Sequence, residues 1–179
     1  GNTRAVLRLD PGVAFGTGMH PTTRMCLTFL EKEIRPGMRM LDLGCGSGIL
    51  SIAALLLGAE TAMAVDIDPV AERIAGQNAQ ENGVQPDRYT VCCGDVMEDE
   101  ALQARILGGY DAVAANIVAG VIIRIAPFAR ACCKMGAPFI VSGVIEEREA
   151  EVCAALEKAG FAVENVAREA GWVGILARG

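Results

Sequence analysis

A cluster of three glycines in residues 41–48 (LDLGCGSG) separates an apolar segment from a helical pattern. Gly44, Gly46 and Gly48 allow a tight main-chain turn, and they leave room for a ligand where a Cβ atom would collide. The amide groups at the start of the following helix favour an anionic or carboxylate-bearing ligand. The alternative interpretation is a glycine turn that only packs this helix on the preceding strand.

The spacing of these glycines excludes two common phosphate-binding motifs. A dinucleotide fingerprint, GxGxxG, needs glycine at position 49, where the chain has Ile49. A P-loop needs Gly-Lys followed by Ser or Thr, and this tripeptide does not occur in the sequence. What remains is GxGxG with an acidic residue, Asp42, two positions before the first glycine.

Polar side chains also stand at the ends of the next three predicted strands. Asp66 ends the second strand, where a carboxylate can accept hydrogen bonds from both hydroxyls of a ribose. Asp95 follows the third strand and Asn116 ends the fourth. The structural alternative is a helix cap for Asp66 and a solvated turn for Asp95. Asp68, directly before Pro69, is the better cap candidate. Because the carboxyl ends of parallel strands meet at one cleft, we predict that Asp66, Asp95 and Asn116 share one ligand site.

The hydrophobic periodicity alternates between helix and strand along the chain. The first predicted strand ends at Gly44, and the other six occupy residues 61–68, 88–93, 110–117, 137–144, 162–169 and 172–178. The predicted helices occupy residues 20–34, 47–59, 69–82, 98–107, 118–134 and 146–160. This pattern predicts an α/β fold: a doubly wound, mostly parallel seven-stranded sheet with helices on both faces. The short connection at Gly171 predicts that the last two strands pair antiparallel.

The composition indicates one acidic domain with a sizeable core. Hydrophobic residues make up 52% of the 179 residues, and the formal net charge is −6. Because no basic stripe is evident, we expect no direct nucleic-acid binding. No apolar run is long enough to span a bilayer and no secretory signal is visible, so we expect no membrane association.

The seven cysteines follow no metal-binding pattern. None is spaced as CxxC, and a single histidine does not complete a usual zinc set, so we predict no metal site. We interpret the adjacent pairs Cys92–Cys93 and Cys132–Cys133 as buried small apolar residues. An odd number of unpatterned thiols indicates the reducing cytoplasm.

The GxGxG pattern is similar to that of S-adenosylmethionine-dependent methyltransferases with a Rossmann-like sheet. More specific segments surround it, and they are DPGVAFGTGMHPTT (10–23), MLDLGCGSGILSIAALLLGA (40–59), AANIVAGVI (114–122) and VSGVIEER (141–148). Together they resemble the ribosomal protein L-eleven methyltransferase family. The resemblance runs from about Leu9 to the C-terminus and includes Trp172.

The resemblance implies an enzyme that uses S-adenosyl-L-methionine to methylate amino groups. Its substrate would be protein eleven of the ribosomal large subunit, a basic partner modified on lysine side chains and the N-terminus. The resemblance further implies one methyltransferase domain over residues 1–179, with residues 1–19 as an N-terminal strand or lid segment. The separate N-terminal substrate-recognition domain that the family usually carries is expected to be absent. The sequence makes no prediction of oligomeric state.

The resemblance also implies which residues contact the cofactor, and it places Asn116 at the reacting centre. The implied cofactor-binding residues are Phe15, Thr17, Gly18, His20, Thr23, Gly44, Cys45, Gly46, Asp66, Ile67, Asp95, Val96 and Asn116. Three of them keep alternatives. His20 is a candidate base or a helix cap, and we favour the cap. Thr23 binds the amino-acid end of the cofactor or caps a helix, and Phe15 packs on the cofactor or in the core.

The expected reaction is an in-line displacement in which an amine lone pair attacks a sulfonium methyl group, the S–C bond breaks and a neutral thioether leaves. A lysine amine has a pKa of about 10.4 in water, so it must lose a proton before it can attack. Desolvation in a closed pocket lowers that pKa. Asn116 is then expected to orient the amine by accepting its hydrogens, with no dedicated general base.

Three other functions remain open from the residues alone. A nicotinamide-dependent oxidoreductase shares this type of sheet but conflicts with Ile49. A non-enzymatic module would keep the cofactor site without the reaction. Another amine, protein-lysine or glutamine methyltransferase is closer, although the last group carries NPPY where this chain has NIVA (116–119).

Overall fold

The computed structural model describes residues 6–8 and 20–179. Within these ranges the chain forms seven strands and six α-helices. The strands are β1 (Arg39–Leu43), β2 (Thr61–Asp66), β3 (Tyr89–Cys93), β4 (Ala112–Asn116), β5 (Pro138–Ile145), β6 (Ala162–Glu169) and β7 (Trp172–Arg178). The helices are α1 (Pro21–Glu33), α2 (Ile49–Leu56), α3 (Pro69–Glu81), α4 (Glu100–Ile106), α5 (Ala119–Cys132) and α6 (Glu149–Lys158). Short 3-10 turns at Pro86–Arg88 and Glu146–Arg148 precede β3 and α6.

The seven strands form one sheet in the order β3-β2-β1-β4-β5-β7-β6. Strands β1 to β5 are parallel, and Leu41 of β1 is level with Met63 of β2 and Val113 of β4. Strand β7 pairs antiparallel with both β5 and β6. From β1 the chain adds β2 and β3 on one side, and it then crosses back to add β4 and β5 on the other side. This reversal opens a crevice at the carboxyl ends of β1 and β4. The predicted α/β class and the antiparallel C-terminal pair are confirmed.

The core lies on both faces of the sheet. One face packs against α4, α5 and α6 and contains Ile122, Phe139 and Leu156, all fully buried. The other face packs against α1, α2 and part of α3 and contains Leu30 and Ile52, also fully buried. Because both faces are covered, the central strands are mainly apolar, with Asp42 of β1 and Ser142 of β5 as buried polar exceptions.

The caps of two helices determine which polar residues remain for the crevice. His20 caps α1, and Asp68 caps α3 by accepting a hydrogen bond from the amide of Val70 over 2.9 Å. Proline occupies the first turn of both helices, where it lacks only an amide that would be unpaired there. Asp68 therefore takes the capping role that was the alternative for Asp66.

The cysteine prediction holds for three of the four paired residues. Cys92, Cys132 and Cys133 are buried, but Cys93 is exposed, so the prediction is wrong for that residue. Strand β3 is at the edge of the sheet, and successive side chains of a strand point to opposite faces. Cys93 is the last residue of β3, and its Sγ lies 3.6 Å from the carbonyl oxygen of Ile67 in the loop after β2.

Only residues 6–8 of the predicted N-terminal strand or lid segment (1–19) are described. Leu7 packs against the α1–α2 side of the core, and the side chain of Asn82 pairs with the main chain of Arg8. The remaining residues of that segment lie outside the described ranges. Within the described ranges, no helix combines the length and the apolarity needed to cross a bilayer.

Candidate active site

The glycine turn (residues 44–48) follows β1 and is fixed against β2. The amides of Gly44 and Cys45 both donate to the carbonyl of Val65, over 2.8 and 3.0 Å. Gly44 has φ +74° and a Cβ there would lie 2.4 Å from Cγ2 of Ile117, so only glycine fits. Gly48 has φ +79° and ends the turn as the N-cap of α2. The helix begins at Ile49, two residues later than predicted, because Ser47 and Gly48 belong to the glycine turn.

Asp66 connects the end of β2 to the glycine turn. The amide of Gly46 donates to Oδ2 of Asp66 over 2.9 Å, and the amide of Asp68 donates to Oδ1 over 3.0 Å. A carboxylate has about four acceptor positions, so each oxygen retains one for a ligand. The two amides hold the carboxylate in a defined orientation at the mouth of the crevice.

Asp42 lies beneath the glycine turn and is only 1% exposed. Its Oδ2 accepts hydrogen bonds from the amide and the hydroxyl of Ser51, over 3.1 and 2.9 Å. Among the described residues, its Oδ1 is a buried side-chain oxygen without a hydrogen-bond partner. Burial raises the pKa of Asp42 to about 6; the bonds from Ser51 lower it and the nearby Asp66 raises it further. A buried carboxylate with one unpartnered oxygen favours a cationic ligand.

Asn116 at the end of β4 meets the first turn of α1. Its Nδ2 lies 3.4 Å from Oγ1 of Thr22 and 3.4 Å from Oγ1 of Thr23, and both threonines are buried. Because the amide nitrogen is directed at the threonines, the side-chain oxygen remains as the acceptor for other groups. Thr22 was not among the predicted site residues, although it is adjacent to Thr23.

His20 acts as the cap of α1. Its Nδ1 accepts a hydrogen bond from the amide of Thr22 over 3.3 Å and lies 2.7 Å from the hydroxyl of the same residue. The imidazole contacts the indole of Trp172 edge-on, with ring centroids 5.1 Å apart. The structure therefore agrees with the helix-cap interpretation of His20 and adds Trp172, from the start of β7, to the same wall.

Two adjoining cavities, together called the cleft, lie above the carboxyl ends of β1 to β4. The first has a volume of about 350 Å³ and is lined by His20, Thr23, Asp42, Asn116 and Trp172, among others. The second has a volume of about 450 Å³ and is bounded by side chains that follow β2, β3 and β4, namely Ile67, Asp95, Val96, Met97, Ile117, Val118, Val121, Arg124 and Ile125. The two cavities share Gly44, Asp66, Ile117 and Val118. Their volumes are within the usual range for sites that hold small molecules.

Every predicted site residue within the described ranges lines this cleft. His20, Thr23, Gly44, Cys45, Gly46, Asp66 and Asn116 line the first cavity. Ile67, Asp95 and Val96 line the second, where Oδ1 of Asp95 accepts from the amide of Met97 over 2.8 Å. Phe15, Thr17 and Gly18 lie outside the described residues.

Gly143 also lines the first cavity, although no sequence pattern predicts a role for it. It lies in an irregularity of β5, where the pairing with β7 shifts between Val141 and Val144. Its φ is +85°, and a Cβ there would lie 2.4 Å from the carbonyl oxygen of Ile117. The glycine therefore permits the close approach of β5 to the segment that follows Asn116.

Metal-ligating side chains are not clustered in the described part of the chain. Across residues 6–8 and 20–179, no three or more His, Cys, Asp or Glu side chains are arranged to hold a metal ion.

Comparison with known proteins identifies the family. The sequence model of the family described as "Ribosomal protein L11 methyltransferase (PrmA)" matches residues 1–179. The chain belongs to this family. The expected family and the Rossmann-like methyltransferase fold are thereby confirmed.

Two proteins named ribosomal protein L11 methyltransferase illustrate the similarity. The one from Pelotomaculum thermopropionicum is 46% identical over 173 residues, which cover 97% of this chain and 54% of that protein. The one from Bacillus cereus is 44% identical over 173 residues, covering 97% of this chain and 53% of that protein. The chain thus spans about half the length of the curated relatives that it matches.

Solved structures give the same result for the fold. The ribosomal protein L11 methylase from Lactobacillus delbrueckii subsp. bulgaricus superposes with a TM-score of 0.84 at 29% identity, covering 96% of this chain and 83% of that one. The precorrin-6y C5,15-methyltransferase from Geobacter metallireducens superposes with a TM-score of 0.73 at 18% identity, covering 92% and 91%. The second likeness concerns the fold alone.

Proposed function

We propose that this domain transfers methyl groups from S-adenosyl-L-methionine to amino groups of ribosomal protein L11. Family membership supports the reaction class. The observation that carries the proposal is the convergence of Asp66, the glycine turn and Asn116 on one cleft. Asn116 lies at the end of the cleft where we expect the methyl-accepting amine.

The lining of the cleft fits a sulfonium nucleoside. Asp66 offers its free acceptor positions to the ribose hydroxyls, and Asp95 offers a carboxylate to the adenine amino group between Ile67 and Val96. The glycine turn leaves space for the amino-acid end, whose ammonium group matches the unpartnered Oδ1 of Asp42. Carboxylates at both ends of the cleft thus meet the hydrogen-bond donors of the molecule.

The residues around Asn116 prepare the amine. S-adenosylmethionine, when bound, supplies an activated sulfonium methyl group. Asn116 accepts hydrogens of the incoming amine at its side-chain oxygen, because its nitrogen is held by Thr22 and Thr23. Trp172 and Ile117 contribute apolar surface to this end of the cleft, and desolvation against it lowers the pKa of the amine and favours its neutral form. Positioning and desolvation are then the whole contribution of the protein to the transfer.

Acidic side chains around the cleft suit a basic substrate. Exposed carboxylates occur in the segments that follow β2, β3 and β5, close in the chain to the lining residues Ile67, Met97 and Gly143. We call them the acidic rim, made of Asp68, Glu98, Asp99, Glu100, Glu146 and Glu147. Such a rim attracts a lysine-rich protein and raises its association rate at low salt. We propose a basic ribosomal protein as the partner and the cytoplasm as its location, which the free thiols of the described cysteines support.

Incubation with isotopically labelled S-adenosylmethionine and purified large-subunit ribosomal proteins tests this function. We expect label on L11, with mass spectrometry assigning it to lysine or N-terminal amines, and no label with the Asp66→Ala variant. Label on a different protein would replace the substrate but retain the reaction. A thermal-shift comparison of S-adenosylhomocysteine with NAD tests the cofactor independently, and stabilisation by NAD alone would contradict the proposal.

A further inference from the structure

A chain of hydrogen bonds connects Asp42 to a tyrosine outside the cleft. The hydroxyl of Tyr89 lies 2.8 Å from Oγ of Ser51, and Ser51 donates to Oδ2 of Asp42 from both its hydroxyl and its amide. Tyr89 begins β3 and faces an open groove between α3 and β3, and it does not line the cleft. The chain therefore runs from that groove, through the first turn of α2, to the floor of the cleft.

The carboxylate of Asp42 is the strongest acceptor in this chain, which favours donation from Tyr89 to Ser51 and from Ser51 to Asp42. The hydroxyl of Ser51 has one hydrogen and two acceptors within reach, Oδ2 of Asp42 at 2.9 Å and the carbonyl of Gly48 at 3.1 Å. Burial raises the pKa of Tyr89, so its hydroxyl is protonated at neutral pH and can donate to Ser51. A serine oxygen that accepts a hydrogen bond becomes a better donor itself. Tyr89 thus strengthens the bond from Ser51 to the carboxylate.

The glycine turn also contacts Tyr89. A Cβ on Gly48 would lie 2.7 Å from the tyrosine hydroxyl oxygen and 3.0 Å from Cβ of Ala75. The hydroxyl therefore occupies the space beside Gly48 and touches Ser51 at the same time. One tyrosine oxygen connects the third glycine of the motif with the residue that holds Asp42.

We propose that Tyr89 is a positioning residue for cofactor binding: acting through Ser51, it holds Asp42 with Oδ1 available for the ammonium group of the cofactor. This rests on the proposed function, because it assumes that the amino-acid end of S-adenosylmethionine lies above Asp42. Ser51 occupies Oδ2 twice, so the ammonium group meets an oriented carboxylate rather than a rotating one.

The proposal has a pH-dependent consequence that a structural role lacks. The groups that face Asp42 are Asp66 of β2, Cys26 of α1, Cys45 of the glycine turn and Tyr89 of β3. Burial raises the pKa of both thiols and of Tyr89, which are therefore neutral, while the proximity of Asp66 raises the pKa of Asp42. Ammonium binding needs an ionised Asp42, so affinity declines as the pH falls through about 6. Weaker donation from Ser51 raises this pKa, and the decline then begins at a higher pH.

The test is calorimetric titration of the folded protein with S-adenosylhomocysteine and with 5′-methylthioadenosine, which lacks the amino-acid end, between pH 5.5 and 7.5. For Tyr89→Phe we expect about fivefold weaker binding of S-adenosylhomocysteine at pH 6.5, the loss of one neutral hydrogen bond, and a midpoint shifted to higher pH. Binding of 5′-methylthioadenosine should not change. Ser51→Ala should reproduce this pattern, and in an Asp42→Asn background Tyr89→Phe should have no further effect on affinity.

Tyr110→Phe is the matched control. Tyr110 is buried, whereas Tyr89 is partly buried, and the hydroxyl of Tyr110 donates to the carbonyl of Ile106 over 2.8 Å, away from the cleft. It should leave both affinities and the pH midpoint unchanged. Equal weakening of both nucleosides by Tyr89→Phe, or an unmoved midpoint, would overturn the positioning role while leaving the proposed function intact. Failure of the unmodified protein to bind either nucleoside would instead overturn the proposed function and the inference with it.

Discussion

The side-chain amide of Asn116 reaches Oγ1 of Thr23 over 3.4 Å, although the two residues are 93 positions apart in the chain. This contact joins the end of β4 to the start of α1. It directs the nitrogen of Asn116 at the helix and its oxygen away from it. The orientation of Asn116 towards the methyl-accepting amine therefore depends on Thr23, which comes from a different element of the cleft wall.

Replacing Asn116 with alanine tests its proposed role as acceptor for the amine. We expect kcat to fall by about a hundredfold or more, because a transition-state contact is lost. The affinity for S-adenosylhomocysteine should stay within about threefold, since other residues hold the cofactor. Single-turnover kinetics and calorimetry measure the two quantities, with the exposed Asn165→Ala as control. Equal loss of turnover and affinity, or of neither, would remove Asn116 from the chemistry.

Replacing Asp66 with alanine tests the ribose contact. Two hydrogen bonds to a charged group are lost, so affinity for S-adenosylhomocysteine should fall by about a hundredfold or more in calorimetry. The control is Asp68→Ala, two residues away, which removes the cap of α3. That variant should lose on the order of 1 kcal/mol of stability with affinity nearly intact. Unchanged affinity in Asp66→Ala would exclude the ribose role.

Replacing Asp42 with asparagine should stabilise the ligand-free protein while weakening cofactor binding. The pKa of Asp42 is about 6 in the folded protein, against 3.8 for an ordinary exposed aspartate, so ionising it opposes folding as the pH rises from about 4 to 6. Above pH 6 the variant should therefore unfold with a free energy higher by on the order of 1–3 kcal/mol, and near pH 4 the difference should vanish. Denaturant titrations across this range measure it. A difference independent of pH would contradict the buried charge.

Replacing Gly143 with alanine should disturb the cleft through the main chain of Ile117. Both the positive φ of Gly143 and the 2.4 Å approach of a Cβ to that carbonyl oppose a side chain there. Gly136→Ala separates the two effects, since Gly136 has φ +78° but nothing within 4 Å of the added atom. We expect Gly136→Ala to cost about 1–2 kcal/mol in thermal unfolding, and Gly143→Ala about 1–3 kcal/mol more with loss of cofactor affinity. Equal effects would show that the close approach carries no cost.

Neutralising part of the acidic rim tests substrate attraction. The double variant Glu146→Gln/Glu147→Gln should raise KM for L11 several-fold at low salt and leave kcat unchanged. The effect should shrink at high ionic strength, because exposed charges are screened. Glu31→Gln/Glu81→Gln is the control, with two exposed carboxylates outside the rim. Steady-state kinetics at two salt concentrations give the answer, and equal effects of the two pairs would argue against the rim.

The amino-acid sequence by itself determined the secondary structure and the order of polar residues along the cleft. Hydrophobic periodicity predicts each helix and strand, because it reflects which side of an element is buried. Asp66, Asp95 and Asn116 follow successive parallel strands, whose carboxyl ends must meet at one edge of the sheet. Those residues could therefore be assigned to one site from their positions alone.

Only the tertiary structure decided how partners distant in the chain meet. The unpartnered oxygen of Asp42, its connection through Ser51 to Tyr89, and the approach of Gly143 to Ile117 depend on strand order and on packing across the sheet. Periodicity carries no information on these contacts, because it reports the burial of each residue and not the identity of its neighbours. For the same reason the exposure of Cys93 became apparent only when β3 was found at the edge of the sheet.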